Sequence, residues 1–265
     1  MKPDKKVLLS LKDVPDSTWQ KLAEKKIYFG HQSVGFNLID GIRDVMRENP
    51  QIRLKLVETD APTLFVGPLF AHSRLGENEI PLSKIEAFSR LMDRGLGNKA
   101  EIAFFKFCFV DITGNTDVDK IFADYKSALS ALKQKYPNTI FVAITVPLTT
   151  NPPGIKPWVK GVIKRVIGRP SGDDGNIERE RFNKKIRSEF PSPMSYGLSA
   201  INSSLFDLAL FESTFPDGSR NVFEKDGENY YSLVPGYTED GGHLNEKGRK
   251  FIAEQLLIFL TQFIR

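Results

Sequence analysis

Short apolar runs alternate with longer amphipathic stretches along this chain. "KKIYFG" (25–30) is an apolar run that stops at a glycine and reads as a first strand. From Val34, apolar residues recur at Leu38, Ile39, Ile42, Val45 and Met46, a one-faced helical spacing that ends near Asn49-Pro50. "IRLKLVET" (52–59) alternates and predicts a second strand, and 59–80 reads as a long loop rich in glycine and proline. "PLSKIEAFSRLMDRG" (81–95) is a helix opened by proline and closed by glycine. "EIAFFKFCFV" (101–110) has the continuous apolar run of a buried strand. A helix over 117–136, a strand over 138–148 and a polar helix over 176–190 follow. Residues 197–213 predict a short edge strand and turn, 232–244 a loop, and 245–264 a closing helix.

Strands alternating with helices imply an α/β fold whose central parallel sheet is covered on both faces. Residues 1–24 read as an N-terminal leader with a short helix, and 25–265 as a single domain. In such sheets, sites form at the carboxyl ends of the strands. That directs attention to the turn after the first strand, the loop after the second, and the loop before the last helix.

Composition changes the picture little. A chain of 265 residues, 40% hydrophobic and 26% charged, can bury a full core without disulfides. Its one cysteine, Cys108, lies in an apolar run and reads as a buried inert thiol. Its three histidines, His31, His72 and His243, show no paired spacing, so no metal site is expected, and no cofactor either. The apolar tail is interrupted by polar residues and the "VLLSL" run near the start is too short for a signal-peptide core. The compartment stays open, with an exported bacterial protein favoured over a cytoplasmic one if a signal peptide has been removed.

The net charge of +4 is local. The segment 156–169, "KPWVKGVIKRVIGR", carries five basic residues and no acid, and without it the chain is near neutral. This argues against a general nucleic-acid coat. Trp158, Val159, Val162, Ile163, Val166 and Ile167 make the same stretch an amphipathic helix, a basic insertion at about 152–175. It reads as an element packed on the domain with its charges in water; a lid, or contact with a membrane or acidic polymer, is the alternative.

Two places carry chemistry. In "FGHQSVGFN", Ser33 stands between a strand and a helix, where free backbone N–H groups and the helix dipole favour a developing negative charge. Taken alone, Ser33 reads more readily as an N-cap than as a nucleophile. In "YTEDGGHLNEKG", Asp240 lies three residues before His243 across two glycines. One tight loop can thereby supply a general base and the carboxylate that fixes its tautomer. A base with its own orienting acid calls for a serine at the strand-one turn, which reverses the reading of Ser33.

A serine after strand one and "DGGHLNEKG" before a terminal helix resemble the SGNH (GDSL-like) hydrolase superfamily, from about residue 25 to the end. The resemblance implies a three-layer α/β/α sandwich of flavodoxin-like type. It also implies Ser33 as nucleophile, His243 as base and Asp240 as its orienter, with an oxyanion hole formed by Ser33 and a glycine N–H. Gly76 best matches that glycine, and Gly67 competes with it. The sequence departs from the family in having "GHQS" for Gly-Asp-Ser and "FCFVD" for Gly-x-Asn-Asp. Asp111 matches the last residue of that second pattern, but Cys108 and Val110 stand where glycine and asparagine are expected, leaving Asn78 or Asn115 as replacement donors.

His31, Gln32, His72 and Arg74 are candidates to contact substrate. His31 reads more readily as packing beside the turn, while His72 and Arg74 are balanced between cleft and plain surface. Lys106, odd inside an apolar strand, is expected to pair with Asp111 or Asp40. The expected activity is a cofactor-free serine esterase acting on a small acyl ester, such as O-acetyl on a carbohydrate. A polysaccharide O-acetyltransferase of the same fold and a non-catalytic carbohydrate-binding module are the alternatives. Oligomeric state is not legible.

Overall fold

The computed structural model describes residues 8–151, 172–190 and 204–264, with side chains of the second stretch described from 175. The basic stretch expected at 156–169 lies outside the described residues. No helix among the described residues is long and apolar enough to cross a membrane.

The centre is a parallel sheet of six strands: β1 (Lys26–His31), β2 (Leu56–Glu58), β3 (Leu69–Arg74), β4 (Ile102–Phe105), β5 (Ile140–Ile144) and β6 (Leu205–Phe206), in the order β2-β3-β1-β4-β5-β6. The described helices are α1 (Asp16–Ala23), α2 (Val34–Glu48), α3 (Pro81–Leu91), α4 (Val118–Lys135), α5 (Gly172–Glu189), α6 (Leu208–Glu212) and α7 (Glu246–Thr261). An antiparallel hairpin of β7 (Val222–Lys225) and β8 (Glu228–Tyr231) stands apart from the sheet.

Alternate side chains of β1 enter two different cores. Ile27 and Phe29 join Leu38, Ile42, Ile252 and Leu256 from α2 and α7, whereas Tyr28 joins Phe88, Tyr125 and Phe182 from α3, α4 and α5. A sheet buried on both faces needs apolar residues at every position, which is why β1 and β4 read as unbroken runs. The result is three layers, α/β/α. On one face α2 and α7 approach closely at Gly41, where an added Cβ would lie 2.2 Å from the Arg249 carbonyl oxygen. The starts of α4 and α7 carry side-chain caps: Asp117 accepts from the Lys120 N–H, and Asn245 from the Gly248 N–H. Residues 8–24 pack on the same layer, with Trp19 and Leu22 buried.

Two elements depart from the pattern. The expected loop over 59–80 contains β3, which pairs with β1 along its whole length. Its sequence, "LFAHSR", ends in polar residues, but all except Arg74 are buried, and Ser73 bonds the Tyr28 hydroxyl at 2.8 Å. The strand is therefore apolar by environment and polar by composition. The β7–β8 hairpin is short, amphipathic and held outside the core, so no apolar run announces it.

Lys106 is the third correction. It is buried, but it pairs with neither expected acid. Its ammonium donates to the Phe107 carbonyl at 3.1 Å and lies 3.5 Å from the Cys108 sulfur. Asp111 pairs instead with Lys84, and Asp40 with Arg43 at 2.7 Å. Lys84 wins Asp111 because α3 starts beside the β4 loop. Burial lowers the pKa of Lys106, against the pull of Cys108.

Glu212, at the end of α6, is also fully buried. One carboxyl oxygen accepts from the Leu148 N–H at 2.6 Å, and the other lacks a hydrogen-bond partner among the described residues. Burial pushes this carboxyl up to about 8, against the opposing Leu148 N–H, Lys106 and Arg179. The folded chain thus keeps a proton that the unfolded chain releases above its ordinary value of 4.5. Glu212 therefore contributes stability that is complete below that value and is lost as pH rises through about 8. Glu212→Gln keeps the acceptor for Leu148 and cannot ionise. In thermal melts, the variant is expected to gain on the wild type as pH rises from 5 to about 9. A difference that does not change with pH would show that Glu212 is not the titrating group.

Candidate active site

The carboxyl ends of β1, β3 and β4 and the loop before α7 converge at one place. β1 ends at His31, and Ser33 stands at the N-cap position of α2 with φ 54° and ψ −115°. A non-glycine residue rarely adopts positive φ, and holding one there costs about 1–3 kcal/mol. The strain bends the chain sharply between strand and helix. Gly35 permits the bend, because a Cβ there would lie 2.3 Å from the His31 side chain.

The Ser33 hydroxyl does not cap α2. It lies 2.5 Å from Nε2 of His243, across 210 residues of sequence. The other ring nitrogen of His243, Nδ1, is 2.6 Å from Asp240 Oδ2. Asp240 Oδ1 accepts the N–H groups of Gly242 and His243 at 2.9 and 2.8 Å, and the Thr238 hydroxyl at 3.3 Å. Burial works to raise the Asp240 carboxyl. The His243 ring bond and the two backbone N–H groups outweigh it and hold the carboxyl well below the usual range. An ionised carboxylate only accepts, so the proton sits on Nδ1 and Nε2 is left to accept from the serine. The two glycines of the loop follow from its path: Gly241 has φ +90°, and a Cβ on Gly242 would meet the Phe109 ring at 2.9 Å.

Gly76 lies just past β3, whose last residue, Arg74, is in register with His31. It has φ +60°, and a Cβ there would lie 2.7 Å from the Lys84 backbone nitrogen. Among the described residues, no hydrogen bond takes its N–H. Gly67 precedes β3, at the opposite end of that strand, and is far from this convergence in the topology. Gln32 fastens the Gly76 turn to the serine turn: its amide donates to the carbonyls of Leu75 at 3.2 Å and Gly76 at 2.5 Å. The Gln32 side chain thus joins the two turns rather than standing free for a ligand.

Asp111 organises the same turn from the other side. It accepts the N–H of Glu79 at 2.8 Å and of Cys108 at 2.6 Å, and pairs with the buried Lys84. Lys84 also donates to the Asn78 amide oxygen at 2.9 Å. Asn78 and Asn115 are both exposed, and neither hydrogen-bonds Ser33 or His243 among the described residues. Val110 stands where the SGNH pattern has asparagine, and the sulfur of Cys108, two residues earlier, faces the Gln32 carbonyl oxygen at 3.6 Å.

His31 and His72 are each 1% exposed: His31 packs beside the turn, as the sequence favoured, and His72 lies at neither an open cleft nor plain surface. Their rings bond at 3.1 Å, Nε2 to Nδ1, and pack on Phe36. Burial, with Lys106, His72 and Arg74 nearby, keeps His31 neutral, its pKa lowered to about 2. Both histidines therefore buttress the turn from below. Arg74 is exposed, and its guanidinium lies 5.1 Å above the Phe36 ring. Sequence reasoning missed Lys84, whose place in an amphipathic helix gave no sign of burial, and Asn37, whose amide oxygen takes the Leu244 N–H at 3.1 Å.

A six-stranded parallel sheet between helical layers, with a serine turn after β1 and an Asp-x-x-His loop before the last helix, defines an SGNH (GDSL-like) fold. A solved structure of a Streptococcus pneumonia protein described as a platelet activating factor superposes with a TM-score of 0.50 at 14% identity, covering 94% of each chain. The periplasmic domain of a lipopolysaccharide acetyltransferase from Salmonella ser. Paratyphi A gives 0.45 at 12%, covering 89% of this chain and 84% of that one. A protein described as a G-D-S-L family lipolytic protein from Desulfitobacterium hafniense gives 0.41 at 10%, covering 88% and 97%. At 14% identity, the first of these likenesses is one of fold alone. No family model matches the sequence, and no curated protein matches it.

Gly76→Ala tests the turn. Alanine at positive φ is strained, and its Cβ collides with the Lys84 backbone. We predict a loss of stability of about 1–3 kcal/mol. If the Gly76 N–H holds an oxyanion, turnover falls by about 100- to 1000-fold as well. Retained turnover in a folded variant would remove Gly76 from that role.

Proposed function

We propose that this protein transfers acyl groups from esters through a covalent serine intermediate, as a serine esterase. The observation that supports this best is the continuous line of contacts from Asp240 through His243 to a serine hydroxyl left uncapped at a strained turn. Ser33 attacks the ester carbonyl as His243 Nε2 takes its proton; the N–H groups of Ser33 and Gly76 receive the oxyanion. His243 then returns the proton to the leaving alcohol. In the second half, His243 activates water and the acid is released. Asp240 stays ionised throughout and balances the imidazolium. No step requires a metal or cofactor.

The proposed substrate is a small acyl ester, with O-acetyl on a carbohydrate as the leading candidate; among the structures of similar fold is one described as an acetyltransferase domain. A sugar hydroxyl in place of water would turn the same intermediate to O-acetyl transfer. The experiment is turnover of p-nitrophenyl acetate with and without added oligosaccharide. Steady nitrophenol release with matching acetate release supports an esterase, and acetyl appearing on the sugar supports a transferase. Absence of release under both conditions would favour a binding module.

A further inference from the structure

Arg179 on α5 takes no part in the chemistry above, yet it is 2% exposed and bonded only to neutral acceptors among the described residues. Its Nε donates to the carbonyls of Phe109 at 3.0 Å and Ile112 at 3.2 Å. Its Nη1 donates to the Thr149 hydroxyl at 3.0 Å and the Asn176 amide oxygen at 2.6 Å. One rigid guanidinium therefore joins the loop after β4 to the loop after β5, a geometry that lysine's single ammonium does not reproduce. Burial lowers its pKa to about 10, against the pull of Glu212, and the group stays charged at neutral pH.

Both loops reach the Asp240–His243 loop. The Phe109 ring meets the His243 ring edge-on, with centroids 5.5 Å apart, and fills the space beside Gly242. Thr150 donates its N–H to the Gly241 carbonyl at 2.8 Å, and the Thr149 carbonyl accepts the Leu233 N–H at 3.0 Å. Asn176, three residues before Arg179 on α5, bonds the backbone of Thr149 through both amide atoms, at 3.0 and 2.8 Å. The imidazole thus meets the Phe109 ring, and its loop is tied at Gly241 to Thr150; both supports converge on one buried cation. His243 itself keeps 38% of its side chain exposed, so its own burial does little to hold it.

We propose that Arg179 is a positioning residue, which sets the His243 ring by holding Phe109 against it and the Thr149–Thr150 segment against its loop. The kinetic consequence rests on the acyl-transfer reading, and the structural consequence does not. With three histidines in the chain, long-range proton–nitrogen NMR spectra resolve the tautomer of each ring. The test compares wild type, Arg179→Gln and, in case that variant fails to fold, Phe109→Leu. The expected result is a single Nδ1–H tautomer for His243 in the wild type and a mixed population in the variants, because a ring released by Phe109 spends part of its time away from Asp240 Oδ2. His31 and His72 should be unchanged. With a short aryl ester, kcat is expected to fall by about 100-fold with KM little altered. Arg179→Lys should lie between. A His243 that keeps its wild-type tautomer in the folded variants, whatever their rates, would overturn the proposal. A tautomer change without ester turnover in any form would uphold the positioning and sink the esterase reading.

Discussion

Ser33→Ala is expected to lower ester turnover by about a millionfold, the scale at which a serine acting as one unit with its base contributes. Alanine fits the site: Ser33 is partly buried, and its hydroxyl makes no capping bond. The positive φ is not relieved by the change, so the turn, α2 and the Gln32 clamp should persist. Stability should therefore move by little while turnover collapses. An N-cap serine would behave in the opposite way, with stability falling by about 1 kcal/mol and turnover intact. Rates with p-nitrophenyl acetate, read beside thermal melts of both proteins, separate the two outcomes.

Asp240→Asn is expected to cost about 10,000-fold in kcat. The replacement is isosteric, and its amide oxygen can still accept the N–H groups of Gly242 and His243. Its amide NH2 then faces the imidazole nitrogen that the carboxylate had bonded at 2.6 Å. A donor at that place makes Nδ1 an acceptor and moves the ring proton to Nε2, toward Ser33. The base is then unable to take the serine proton. The stabilising charge on the imidazolium is lost as well. A loss of less than about tenfold in kcat would mean that Asp240 does not fix the His243 tautomer.

Different physical signals decided what the sequence made legible. β1 and β4 are buried on both faces, so their composition and their environment agree. The spacing of α2 is legible for a related reason, since one face meets the sheet and α7. β3 hid because His72, Ser73 and Arg74 are polar by type and find local contacts, with the His31 ring, the Tyr28 hydroxyl and the Phe36 face. Asp240 and His243 were legible because one loop carries both, and short-range spacing is what a sequence shows. The Lys84–Asp111 pair was not, because it joins residues 27 apart through the packing of α3 on the β4 loop. Gln32 needed the structure for the same reason: only the pairing of β3 with β1 brings the Gly76 turn within its reach. The basic stretch at 156–169 lies outside the described residues, and the reading of it as a packed element or a lid stays an expectation.

The histidine and glutamine that replace the usual single aspartate divide two structural tasks. His31 turns inward and supports the bend with His72, and Gln32 turns across to the Gly76 carbonyl. The extra residue thus supplies a clamp between the serine turn and the turn that presents the Gly76 N–H. Asp111 and Lys84 hold that second turn from the far side, in a chain where Val110 leaves the side-chain donor position apolar.

The central claim is that Ser33 is the nucleophile, and the most direct measurement is intact-mass analysis after exposure to a serine-reactive fluorophosphonate. The wild type should gain one adduct, mapped to the peptide carrying Ser33, and Ser33→Ala should gain none. Equal labelling of both proteins, or an unlabelled wild type that is folded, would contradict it.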